Sequence, residues 1–212
     1  MAKLVSSIGL ILTITYCLIS TTDVHAGKQG YAAEKENKFF RDICLEKEKL
    51  MTLQVYVQDL RIGNPHATVF EVAKASITDS SPFSFGSVHV LDDLVTAGPA
   101  FNSTPIGRIQ GLTTNSDLST FGIAMNLNFY FTVGKLAGST LSILGRNQVM
   151  DNQRELPVVG GTGFFRFARG YAIQTTYSID FETNYAVLGY TIYTTYNSNL
   201  NERHDAIEID VL

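Results

Sequence analysis

In the stretch "LQVYVQD" of this 212-residue chain, a carboxylate stands at the end of an apolar row. Leu53, Val55, Val57 and Asp59 fall on one face of a period-two pattern, with Gln54, Tyr56 and Gln58 on the other. If that face lines the interior of a fold, desolvation raises the carboxyl's pKa and makes Asp59 a usable general acid or base near neutral pH. If the strand ends at Val57, Asp59 merely opens the turn into "IGNP". Arg154, in "DNQRELPVVGGTG", could complement an anionic oxygen on a ligand. With Asp151 and Glu155 beside it, its default reading is a surface charge.

Other chemistries find less support. The glycines of "VVGGTGFFRFARGYA" (158–172) resemble a phosphate loop only superficially. No helix pattern follows them, Arg166 stands where a third glycine of G-x-G-x-x-G would be, and no Gly-Lys-Ser/Thr is present. A tight turn entering a strand is the better physical reading. His66, His89 and His204 lack metal-ligand spacing, and a G-x-S-x-G elbow is missing, so metal catalysis and serine hydrolysis are not expected. Asn102-Ser103-Thr104 is a glycosylation sequon in a loop rich in Pro and Gly.

The elements that must position these residues follow from the pattern along the chain. Residues 1–26 read as a secretory signal: Lys3 precedes an apolar stretch, and Val24-His25-Ala26 forms a small-x-small cleavage site. The apolar run is too short and too interrupted by Ser and Thr for a membrane span. A secreted, extracellular protein is expected. Cys17 lies in the signal, so Cys44 is left without an internal partner, and stability must come from packing. The formal charge of −4 argues against nucleic acid or an anionic membrane as partner and suits a neutral ligand.

Residues 27–50 are dense in charge and read as a solvated or loosely helical arm. Strand candidates follow: "LQVYVQD", "FGSVHVLDD", "IGRIQGLTT", "IAMNLNFYF", "GSTLSILGR", "FFRFARGYAIQTTYSID" and "NYAVLGYTIYTTY", separated by turn-rich pieces. Seven or eight strands without crossover helices predict an all-β domain over 51–196. An eight-stranded antiparallel barrel with a central pocket is favoured, because closure removes exposed edges and such a barrel can hold one small ligand. Residues 197–212 read as an acidic, polar tail.

"VVGGTGFFRFARGYA", with "RELP" before it and "FGSVHVLDDLVTAGP" and "IGRIQG" upstream, resembles the plant dirigent proteins over roughly residues 50–196. The resemblance implies a secreted apoplastic barrel, homo-oligomeric as a trimer or a dimer, with a pocket in each barrel and no cofactor. Its implied partners are a phenolic small molecule and an external oxidase, a laccase or peroxidase, that makes phenoxy radicals. Such proteins steer the coupling of phenylpropanoids such as coniferyl alcohol, and some relatives, the pterocarpan synthases, instead cyclise an isoflavanol-derived quinone methide. A non-catalytic wall protein that organises oxidases or polymer is the third reading. By the resemblance, "YVQD" matches the family's Y-x-H-D strand end, with Gln58 replacing His and Asp59 as the pocket carboxylate, and Arg154 matches the arginine ahead of the glycine run. Val57, Thr113, Phe131 and Asn147 are the expected substrate contacts. Gly145-Arg146-Asn147 stands where lignan-forming members often carry G-A-D, so Asp59 is left as the one expected pocket acid.

Overall fold

The computed structural model describes residues 48–197. The signal segment, most of the charged arm with Cys44, His204 and the tail beyond Asn197 lie outside the described residues. Nine strands follow one another: β1 (Glu48–Leu60), β2 (Val69–Ala73), β3 (Val88–Thr96), β4 (Pro105–Asn115), β5 (Gly122–Phe131), β6 (Thr140–Gln148), β7 (Arg154–Thr162), β8 (Gly170–Asp180) and β9 (Tyr185–Asn197). All pairings are antiparallel, in the order β1-β9-β8-β7-β6-β5-β4-β3-β2, and an additional β1–β3 pairing closes the ring. The result is the eight-stranded antiparallel barrel, with β2 as a short extra strand.

Alternation explains why these segments are strands. Along β5, Met125, Leu127, Phe129 and Phe131 point inward and are buried, while Ala124, Asn126 and Tyr130 point outward. The same rule holds on β1, where Leu53, Val55, Val57 and Asp59 are all buried. β1 begins at Glu48, so the last three residues of the charged arm are strand rather than arm.

Two elements differ from the sequence reading. β2 was not expected, because "VFEVA" is short and four of its five residues are exposed. The glycine run is also not a turn. Gly160 and Gly161 lie within β7, whose inward residues Arg154, Leu156 and Val158 alternate with exposed Glu155, Pro157 and Val159. A Cβ on Gly161 would stand 2.4 Å from the Thr140 carbonyl oxygen and 2.7 Å from Phe165 Cβ, so close approach of the backbone is what glycine supplies there. The turn comes later, at Gly163, with φ +59. It opens a 3₁₀ turn (Gly163–Phe165) that drives Phe164 and Phe165 into the core, so the strand expected from "FFRF" begins only at Gly170.

The barrel interior has two ends. The β5–β6 and β7–β8 connections frame a closed end packed with aromatics: Phe129 and Phe131 lie 6.5 Å apart between ring centroids, Phe131 and Phe165 5.4 Å, and Phe164 and Phe165 5.1 Å. At the other end, framed by the β4–β5, β6–β7 and β8–β9 connections, side chains leave an open volume.

Candidate functional site

That volume is a cavity of about 780 Å³, within the range of small-molecule sites. Its deep wall contains Tyr190 on β9, fully buried, whose ring meets Phe129 edge-on at 5.2 Å. Tyr190 therefore separates the aromatic plug from the cavity.

Two carboxylates lie where the barrel closes. β1 and β3 pair only over Tyr56–Gln58 and Leu94–Thr96, after which the two strands part. Asp59 and Asp93 are the next residues on each side of that gap, and both line the cavity. Thr68, ahead of β2, fills the gap: its amide donates to the Leu60 carbonyl at 2.8 Å, and its hydroxyl donates to Asp93 Oδ1. β2 then continues the wall on the same edge of β3 that β1 has left.

The two acids have different surroundings. Both oxygens of Asp59 accept from Arg61, with Nη2 to Oδ2 at 3.0 Å and Nε to Oδ1 at 3.3 Å. Asp93, 3% exposed, has no ion pair among the described residues. Desolvation, reinforced by the neighbouring Asp59 charge, pushes its pKa up to about 7 against the opposing pull of the Thr68 hydroxyl and the more distant Arg108. Asp92, the preceding residue, points outward and accepts from Arg108 Nε at 2.7 Å. The expectation of a single pocket acid is therefore corrected: Asp93 is a second one. Its signal was in the sequence, since "VHVLDDLV" places Asp93 in phase with Leu91 and Val95.

Arg154 lines the facing side of the cavity and is 6% exposed, so it is not the surface charge that Asp151 and Glu155 suggested. Its Nη1 donates to the Asp151 carbonyl at 2.9 Å and to Thr176 Oγ1 at 3.1 Å, while Nε has no partner among the described residues. All its hydrogen-bond acceptors are neutral, and burial lowers its pKa from the usual value. A buried cation held by neutral groups favours an electron-rich oxygen as ligand.

Of the remaining expected contacts, Val57, Thr113 and Asn147 all line the cavity. Phe131 does not: two residues beyond Phe129 on β5, its ring faces Phe165 in the plug. Period-two alternation gives the face of a strand but not the depth along it, so Phe131 could not be separated from cavity positions by pattern. Gln58, the residue in place of the family's His, lies on the opposite face of β1. Its amide donates to Thr96 Oγ1 at 2.7 Å and its carbonyl accepts from the Tyr185 hydroxyl. At the mouth, Ser87 Oγ donates to Glu71 Oε2 at 2.7 Å, and His89 Nε2 lies 3.3 Å from the same hydroxyl. None of these three was anticipated as a wall residue. Asn102 is exposed in the β3–β4 connection, where a glycan could be carried. Among the described residues no group of three metal-ligating side chains occurs.

Comparison with known proteins agrees with this architecture. The family model described as Dirigent-like protein matches residues 50–195. Dirigent protein 11 of Arabidopsis thaliana is 46% identical over 132 residues, spanning 62% of this chain and 68% of that protein. Pterocarpan synthase 1 of Glycyrrhiza echinata is 39% identical over 149 residues, spanning 70% of this chain and 79% of that one. A solved pterocarpan synthase dirigent protein superposes with a TM-score of 0.64 at 39% identity, covering 71% of this chain and 89% of the other.

Proposed function

Since the chain belongs to the dirigent family, we propose that its barrel binds a phenolic radical or quinone methide, excludes water and fixes the face at which the new bond forms. The observation that supports this reading best is the convergence of Asp59, Asp93 and Arg154 on one cavity whose remaining wall mixes apolar side chains, such as Val57, Ile109, Leu127 and Leu188, with polar ones. The apolar side chains receive the aromatic ring, and the polar groups orient its oxygens. A barrier difference of about 1.4 kcal/mol between two faces gives a tenfold product bias, so shape and orientation suffice. In the coupling form of this function an extracellular oxidase supplies phenoxy radicals of a coniferyl alcohol type, and the protein acts outside the cell as a homo-oligomer. The test is chiral chromatography of coniferyl alcohol coupling by laccase with and without the protein. Enantiomeric excess that rises with protein concentration supports coupling, and a racemic product at every concentration refutes it.

A second reading, an intrinsic dehydratase of the pterocarpan synthase kind, is favoured by Asp93, a buried acid still partly protonated at neutral pH. Asp93 would donate its proton to the benzylic hydroxyl of an isoflavanol, which leaves as water. The para phenol passes its proton to solvent at the cavity mouth, and its oxygen, facing Arg154, becomes the quinone methide carbonyl. A second phenolic oxygen of the substrate then adds at the benzylic carbon. The proton it releases and the one recovered by the carbonyl oxygen restore Asp93 and the phenol, for a net loss of one water. Turnover of an isoflavanol by the protein alone, without oxidase, is the expected result. Inertness across isoflavanols removes this reading.

A further inference from the structure

We infer that Asn147 forms a hydroxyl-reading subsite, which accepts a hydrogen bond from a free phenolic hydroxyl and discriminates against the same ring once that hydroxyl is etherified or removed. This rests on the dehydratase reading, whose isoflavanol keeps a second phenolic hydroxyl when the first becomes the quinone methide carbonyl, and specifies which phenols the cavity takes.

Asn147 is 5% exposed on β6 and lines the cavity. Its amide nitrogen is engaged on the protein side: Nδ2 donates to Gln174 Oε1 at 2.6 Å and lies 3.1 Å from Met125 Sδ. These two contacts, to Gln174 on β8 and Met125 on β5, hold the amide and leave Asn147 Oδ1 buried with no hydrogen-bond partner among the described residues. A buried carbonyl oxygen without a donor loses the hydration it had in the unfolded chain, so a ligand that brings a donor gains what the fold has forgone.

The matching chemistry is a neutral O–H donor. An ether, a methoxy group or a quinone carbonyl would set lone pair against lone pair, and a bare ring carbon would leave the oxygen unpaired. Because the amide does not titrate, the preference holds across the pH range in which Asp93 changes charge. In the barrel order β6 stands three strands from β3 and four from β1, so Asn147 faces Asp93 and Asp59 across the lumen. A ligand anchored by its hydroxyl at Asn147 thus presents its far end to the acid pair.

The test is calorimetric binding of three probes to the purified full chain: isoeugenol, whose phenol is its single hydroxyl; its methyl ether; and 3-propenylanisole, which lacks the phenolic oxygen. Isoeugenol is expected to bind roughly tenfold or more tighter than either analogue. Asn147→Leu should bring the three within about twofold of one another, while Asn147→Asp, which keeps an acceptor oxygen, should retain the preference. Equal binding of all three to the unaltered protein overturns the subsite, as does discrimination that survives in Asn147→Leu with an intact melting transition. If Asn147→Leu does not fold, loss of preference in folded Asn147→Asp overturns it instead. Binding of none of the probes also overturns the subsite, whereas the product assays above report separately on the cavity's function.

Discussion

At the plugged end of the barrel Leu53, Val95, Phe129, Leu141, Val158 and Ile192 fill the interior. Further along the same six strands, the inward positions hold Asp59, Asp93, Met125, Asn147, Arg154 and Tyr190 around an open volume. Both halves are antiparallel barrel wall, but in the cavity half β1 and β3 part beyond Gln58, β6 pairs β7 only over Thr140–Ile143, and the inward side chains are more polar. The plug holds the register of every strand, and register determines where the polar groups of the other half stand. Stability and chemistry are thus separated along each strand. The cavity half can carry desolvated charge and unpaired polar atoms because the plug half offsets their cost.

The sharpest break between the halves comes at Asp93. Asp93→Asn should reduce dehydratase turnover or stereoselectivity by ~10²- to 10⁴-fold, the scale of losing a general acid, without unfolding the barrel. Its stability effect has a definite sign. The folded pKa, about 7, lies above the ordinary carboxylate value of 3.8, so the folded state holds the extra proton between these values. Stability is therefore greatest at the acid end of this window and falls as pH rises through it, by up to about 1.4 kcal/mol per unit. Asp93→Asn should melt higher than the unaltered protein at pH 8 and lose that advantage near pH 4. Melting curves at the two pH values, set beside product analysis, check both parts. Unchanged product would return Asp93 to a structural role.

In the plug the same logic reverses. Phe165→Ala removes a fully buried ring that touches Phe131 and Phe164, and should cost ~3–5 kcal/mol in denaturant unfolding. The fraction that remains folded should keep its product bias. If selectivity falls in step with stability, the two halves are not separable.

A smaller plug effect is expected at Gly163→Ala. The backbone there has φ +59, and the new Cβ would meet Ser139 Oγ at 2.6 Å, the atom that accepts from the Phe164 amide. About 1–3 kcal/mol of stability should be lost, measurable as a lower denaturation midpoint at unchanged slope.

The smallest effect tests the coupling of the acids. Asp59→Asn removes the negative neighbour that helps hold the Asp93 proton, so the alkaline limb of the activity profile should move to lower pH. At pH 5 activity should be nearly intact, and at pH 8 it should fall. A loss equal at all pH values would make Asp59 the acid itself.

The period-two alternation of "LQVYVQD" and "IAMNLNFYF" determined strands with one buried face, and strands without helices between them narrowed the fold to an all-β sandwich or barrel. The side chain of Asp59 was legible as inward because parity along a strand is local. Parity also carried Asp93 in "VHVLDDLV", although the outward Asp92 beside it hid the signal. Only the tertiary structure decided depth and closure. Phe131 and Met125 share one inward row, yet the first is in the plug and the second on the cavity wall, because the 3₁₀ turn after Gly163 brings Phe164 and Phe165 in from a distant part of the chain. Asp59 and Asp93 became neighbours because β1 and β3 pair across the seam, a contact 34 residues apart that no local pattern encodes. Arg154 was buried because β7 is a strand and not a turn, which pairing with β8 settled through the Arg154–Gln174 register. Side-chain direction is a property of a residue and its immediate neighbours, whereas burial, pKa and the company a residue keeps belong to strand pairing over long separations.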